Sequence, residues 1–189
     1  MNFEAFHYYQ EKYRVFLEEE EERRLAALEN ERRLPYVREA LQADFPSIIS
    51  LFTHLWPQYS LDESKVHQIL VEEFLPMSSK RWFVAERGQK IVGAISLRIQ
   101  NHLWCAGALL HVDELIVDPS VQRQGVGRLL MHTAERYARE KSCKKIELES
   151  GMQRTSAHEF YRALGYEDVA KYFSKDMNNS DMNNSVAGS

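Results

Sequence analysis

Apolar positions recur along this chain with a period that changes from segment to segment, and each change marks an element. Phe6, Tyr9, Tyr13, Phe16 and Leu17, then Leu25 and Leu28, repeat at roughly helical spacing, with Glu18 to Glu22 and Arg23-Arg24 between them. The spacing predicts one long helix over 3–34, closed by Leu34-Pro35 because proline disfavours helical geometry in the residue before it. Such an arm either packs on its own domain or offers a contact to a second copy or a partner. Tyr36–Leu41 then reads as a short strand, and Asp44 as the cap of a helix to about Leu55 with Pro46 in its first turn. A loop with Trp56, Pro57 and Tyr59 precedes a second helix from Asp62 to Leu75. Arg81–Glu86, the turn Arg87-Gly88-Gln89-Lys90 and Ile91–Ile99 form a hairpin pattern, and Ala108–Val117 is a third, mostly apolar strand. Val126, Leu129, Leu130, Thr133, Ala134, Tyr137 and Ala138 make a helical stripe. Ile146–Ser150 is a further strand. A short helix follows, with Ser156 and Glu159 spaced as a capping box and Gly165 placed to end it. Tyr166–Met177 reads as a last strand. The sum is one α/β domain over 35–177, a mixed central sheet flanked by helices, with a helical extension at 1–34.

Composition narrows the function. A chain of 189 residues with 44% hydrophobic content suits one domain with its own core. No apolar run approaches the ~18 residues of a membrane span, and the glutamate-rich start does not resemble a transit peptide. Two cysteines, Cys105 and Cys143, fit a reducing, cytoplasmic setting. Asp-Met-Asn-Asn-Ser repeats at 176–180 and 181–185 with nothing to bury, which predicts a disordered polar tail over 178–189. The net charge of −4 sits mostly in 1–34, with nine acidic and six basic residues, against 19 acidic and 18 basic in 35–189. A nucleic-acid binder needs a clear basic excess, which is absent. His54, His67, His102, His111 and His132 show no metal-ligand spacing, so no metal is expected. A local group, Arg123, Arg128, Arg136, Arg139, Lys141, Lys144 and Lys145, suits one small anion.

The most informative stretch is Leu115-Ile116-Val117-Asp118-Pro119-Ser120-Val121-Gln122-Arg123-Gln124-Gly125-Val126-Gly127-Arg128. A strand ends, a polar loop turns, and glycines open a helix. Unpaired N–H groups and the positive end of the dipole make such a helix start a ready phosphate site. A dinucleotide fingerprint would want a third glycine where Leu130 stands, and it would follow the strand directly rather than after a loop with Pro119. A G-x-x-x-x-G-K-[ST] loop is absent. Gln122-Arg123-Gln124-Gly125-Val126-Gly127 resembles the [RQ]-x-x-G-x-[GA] signature of GNAT acetyltransferases. Glu114 to Pro119 before it and Phe160-Tyr161-Arg162-Ala163-Leu164-Gly165-Tyr166 after it resemble that family's strand and late helix.

The resemblance covers roughly 35–177 and implies a GNAT-type fold and an acetyl-coenzyme A-dependent N-acetyltransferase. It implies that the amides of Gln122, Arg123, Gln124, Gly125, Val126, Gly127 and Arg128 hold the pyrophosphate of the co-substrate, acetyl-coenzyme A. The main chain of Leu115, Ile116 and Val117 would pair with its pantetheine arm. Arg154 stands where the family usually has an asparagine, and with Ala157, His158, Phe160 and Tyr161 it looks more like the bacterial aminoalkylphosphonate and small-amine acetyltransferases. Acetylating an amine needs a base and, for the thiolate, an acid. Glu114 is the favoured base, a carboxylate in an apolar strand with Val112 and Ile116 on the same side by simple alternation. Asp113, on the opposite face unless a bulge reverses the parity, and Glu149, which matches the base position of ribosomal-protein N-acetyltransferases, stay open. Tyr161 is the favoured acid. The expected function is transfer of acetyl to a small-molecule primary amine by direct attack in a ternary complex. A protein N-acetyltransferase and a non-catalytic acyl-coenzyme A binding module are the alternatives.

Overall fold

The computed structural model describes residues 12–25, 34–55, 62–75 and 77–175. The outer parts of the predicted arm, the aromatic loop at 56–61 and the polar tail lie outside the described residues. Within the arm, 12–25 is helical (α1), and its side chains are exposed, Tyr13, Phe16 and Leu17 included.

Five strands form one sheet in chain order: β1 (Tyr36–Glu39), β2 (Lys80–Arg87), β3 (Lys90–His102), β4 (Gly107–Val117) and β5 (Lys145–Leu148). The first three pairings are antiparallel and the last, β4 with β5, is parallel. The β2–β3 hairpin turns at Gly88 (φ 55°) and Gln89 (φ 65°), the two left-handed residues that a tight hairpin loop requires.

The helices divide between the faces. On one lies α4 (Val126–Glu140), where Val126, Leu130, Met131, Ala134 and Ala138 are buried and Tyr137 meets Phe83 of β2 edge-on at 5.6 Å. The other face carries α2 (Phe45–Leu55) and α3 (Glu63–Glu73). Phe45, Ile48, Leu51, Phe52 and Leu70 close there over Trp82, Val84, Ala94 and Ile116. Asp62 caps α3, accepting from the Lys65 amide. Asp44 does something different from capping α2. A 3-10 turn, Gln42–Asp44, leads into that helix, and the carboxylate folds back onto the Arg38 guanidinium (2.7 and 2.9 Å) and the Leu41 N–H (2.7 Å).

The described chain divides into two compact units at Leu148 and Glu149. The second holds α5 (Thr155–Ala163). This helix starts one residue before Ser156, with Arg154 at the N-cap, so the predicted capping box does not form. Gly165 (φ 87°) does end it: Gly165 N–H donates to Arg162 and Tyr166 N–H to Tyr161, closing the last turn. Among the described residues the expected strand after Tyr166 is absent. Residues 167–175 are exposed throughout and have no buried face to hold a strand.

Candidate active site

The site begins with a register shift. Ser96 of β3 pairs with Glu114 and its neighbour Leu97 pairs with Val112, which leaves Asp113 as the extra residue of a bulge in β4. Cross-strand partners share a face. Glu114 therefore lies on the face of Ser96, Ala94 and Ile116, while Val112 lies with Leu97 on the face packed by α4. Simple alternation would put Glu114 and Val112 together; the bulge separates them. Two polar rows result on the α2–α3 face: Trp82, Ser96 and Glu114 in one, Lys80, Arg98 and His111 in the next.

The bulge also sits where β4 and β5 part. Their pairing runs from Leu109 with Lys145 to Val112 with Leu148, whereas β4 continues to Val117. Leu115, Ile116 and Val117 thus have a main-chain edge that β5 does not use. Such an edge can accept an extended ligand as an added strand.

Asp113 is an anchor. Its carboxylate takes Arg98 at 2.8 Å, His111 Nδ1 at 2.9 Å and Lys80 at 3.4 Å. Burial alone would push this carboxyl up, but His111, Arg98 and Lys80 outweigh it and hold it well below the usual carboxylate range. Lys80 is shared with Glu73 of α3, which also accepts from the Trp82 indole at 2.7 Å. Burial would pull the Lys80 ammonium down, yet the two carboxylates raise it. Ser96 Oγ, fully buried beside this network, has no hydrogen-bond partner among the described residues.

Past β4, the loop folds to expose the start of α4. Asp118 fastens the turn, accepting from the Ser120 hydroxyl and amide and from Lys90. These contacts, the Ser120 hydroxyl foremost, lower its carboxyl below the usual range. Arg123 (φ 59°) and Gly125 (φ 87°) both adopt the left-handed region, and Gly125 is the N-cap of α4. A Cβ built on Gly125 would meet nothing within 4 Å, so the space over the helix start is open. Open space, unpaired helical N–H groups and Arg123 and Arg128 beside them fit a phosphate-bearing ligand. Gln122 and Gln124 are spent on the loop itself, their amides donating to Val117 and Ser120 carbonyls.

In the second unit, Tyr161 stands on α5 between the rings of Phe160 (5.3 Å) and Tyr166 (6.2 Å). Burial raises its phenol above the usual value, against a smaller opposing effect of Arg154, so it stays protonated at neutral pH. His158 Nε2 contacts the Gly151 carbonyl at 3.0 Å, a structural tie between α5 and the loop before it. Glu149 is exposed, just past the end of β5. Among the described residues no group of His, Cys, Asp or Glu could hold a metal ion, and no helix is long and apolar enough to cross a membrane.

Residues 34–166 match the Acetyltransferase (GNAT) family, and the chain belongs to it; by class it is an acetyl-coenzyme A-dependent N-acetyltransferase. It is 36% identical over 92 residues to an aminoalkylphosphonate N-acetyltransferase of Salmonella typhimurium, a match covering 49% of this chain and 60% of that protein. An aminoglycoside N(6')-acetyltransferase type 1 of Klebsiella aerogenes is 29% identical over 143 residues, covering 72% of this chain and 92% of that one. An aminoglycoside N-acetyltransferase solved in complex with CoA superposes with a TM-score of 0.66 at 19% identity, over 76% of this chain and 94% of that one.

Proposed function

We propose that the protein moves an acetyl group from acetyl-coenzyme A to the primary amine of a small molecule, by direct attack in a ternary complex and in the cytoplasm. One observation carries this most: the bulge turns Glu114 toward the face free of α4, at the point where β4 leaves β5. That geometry puts a carboxylate beside the main-chain edge that suits a pantetheine arm. The names of the Salmonella and Klebsiella relatives, both acetyltransferases of small molecules, support the substrate class.

Acetyl-coenzyme A supplies an activated thioester when bound. The backbone amides of Arg123, Gly125, Val126, Gly127 and Arg128 would hold its pyrophosphate, those of Gln122 and Gln124 being used by the Pro119 and Val121 carbonyls. The main chain of Leu115 to Val117 would align its arm and supply an N–H for the carbonyl oxygen. Glu114 meets the acceptor's ammonium as its counter-ion. Tyr161, kept protonated by burial, supplies the proton that the departing sulfur needs.

Two variants test these roles. Tyr161→Phe keeps the ring and should bind both substrates normally while kcat falls by roughly 10²–10⁴, the usual contribution of an acid–base group. Glu114→Gln should raise KM for the amine by about 10–100-fold, as loss of one hydrogen bond to a charged group predicts. A fully active Tyr161→Phe would make the tyrosine a packing residue. An unchanged KM in Glu114→Gln would remove the carboxylate from the acceptor site.

A further inference from the structure

An alkyl ammonium has a pKa near 10.4, so only about 0.1% is neutral at pH 7.4, and attack needs a group that takes its proton. A carboxylate with an ordinary pKa of about 4.3 lies some six units below the ammonium, whereas an imidazole near 6.5 lies about four below. Those two units make proton transfer to an imidazole roughly a hundredfold more favourable. The structure contains an imidazole built for the task, one that no sequence motif marks.

We infer that His111, oriented by Asp113, is the group that takes the acceptor's proton. The inference rests on the acetyl-transfer function proposed above. Asp113 is ionised by its cationic neighbours and can only accept hydrogen bonds, so the 2.9 Å contact makes His111 Nδ1 the donor. A neutral ring then has its lone pair on Nε2, which has no hydrogen-bond partner among the described residues. The side chain retains 16% of its exposure, enough for a small ligand to reach it. His111 lies in the last stretch of β4 still paired with β5, one residue before the final pair, Val112 with Leu148. It shares the α2–α3 face with Glu114, about 7 Å away along the strand once the bulge residue is discounted.

The charges around the ring come from four strands and a helix. Asp113 lies on its own strand with Glu114 nearby, Arg98 pairs with it from β3, Lys80 reaches Asp113 from β2, Glu73 reaches Lys80 from α3, and Glu147 is in register on β5. Arg98 and Lys80 are matched to Asp113 and Glu73, and Glu147 pairs with Lys145 at 3.1 Å, so the charges around the ring lean slightly negative. In the reaction one ammonium proton passes to Nε2 and the freed lone pair forms the N–C bond. The C–S bond breaks, and the second proton lost by nitrogen balances the one that Tyr161 gives to sulfur. His111 then returns its proton to solvent.

The test has two independent readouts. In imidazole ¹⁵N NMR of the full chain without substrates, the neutral His111 ring should carry its proton on Nδ1, and Asp113→Asn should redistribute it toward Nε2. With acetyl-coenzyme A and a responsive amine, His111→Gln should lower kcat/KM by 10² or more at pH 7, with the deficit shrinking toward pH 10 as the amine supplies its own lone pair. Wild-type kcat/KM should rise with pH through the pKa that NMR assigns to His111. A neutral ring protonated on Nε2 in the wild type would overturn the inference. A His111→Gln profile parallel to wild type would also overturn it, as would a pH-dependent deficit that belongs to Glu114→Gln instead. A protein that acetylates no amine at all would sink the function while the NMR result still judged the dyad.

Discussion

A carboxylate ringed by cations is a poor base and a good anchor, and Asp113 illustrates the distinction. Arg98 and Lys80 fix its ionised form, and in return it fixes their positions and that of His111, which donates to it. Because its folded pKa is depressed, this stabilisation is fully present above the unfolded value near 3.9 and drains away as pH falls below it. The neighbouring Ser96 presents the opposite case, a buried hydroxyl with no partner among the described residues. Leaving such a group unsatisfied costs roughly 1–3 kcal/mol, and its one evident use is to meet a ligand or a water beside Glu114. Ser96→Ala is therefore expected to leave the melting temperature unchanged or raise it, while KM for the amine rises severalfold. Calorimetry and steady-state kinetics on the one variant check both. A marked fall in stability with an unchanged KM would make Ser96 an ordinary core residue.

Among the elements, the turn into α4 shows why the glycine signal was so readable. Gly125 does two things at once: its φ of 87° suits only a residue without Cβ, and the empty space above it admits a ligand. Gly125→Ala should cost about 1–2 kcal/mol through the left-handed backbone alone and should weaken acetyl-coenzyme A binding beyond what that strain explains. Thermal melts and titration calorimetry separate the two effects, and undiminished affinity would show that the turn is only structural. The hairpin, α3 and α4 were likewise legible, because period two, period 3.6 and paired glycines each leave a mark in the residues. The bulge leaves none. Val112-Asp113-Glu114 looks like plain alternation, and only pairing with β3 shows that one residue is extra. His111 escaped for the same reason: its partner lies two positions away, and the register and the bulge bring the two together. Tyr166–Met177 misled in the other direction, since an apolar residue here and there is not a strand without a surface to cover.

At the scale of the molecule, one sheet sorts its work by face and by edge. One face is filled by α4, and the other is apolar under α2 and α3 and polar at 80, 98, 111, 113 and 114. Beyond Val112 the β4 edge is unused by β5 and leads straight into the glycine turn. Fold and co-substrate were legible in the sequence because both rest on local signals, the strand-loop-helix pattern and its glycines. The acceptor was not, since the polar cluster proposed to meet it comes from side chains of β2, β3, β4 and α3 that only folding assembles. The most direct test of the central claim is release of free thiol from acetyl-coenzyme A by the full-length protein across a panel of small amines, including aminoalkylphosphonates and aminoglycosides. Thiol should appear only when a primary amine is present, in step with an N-acetylated product identified by mass spectrometry. Tight acetyl-coenzyme A binding with no amine-dependent thiol from any member of the panel would contradict it.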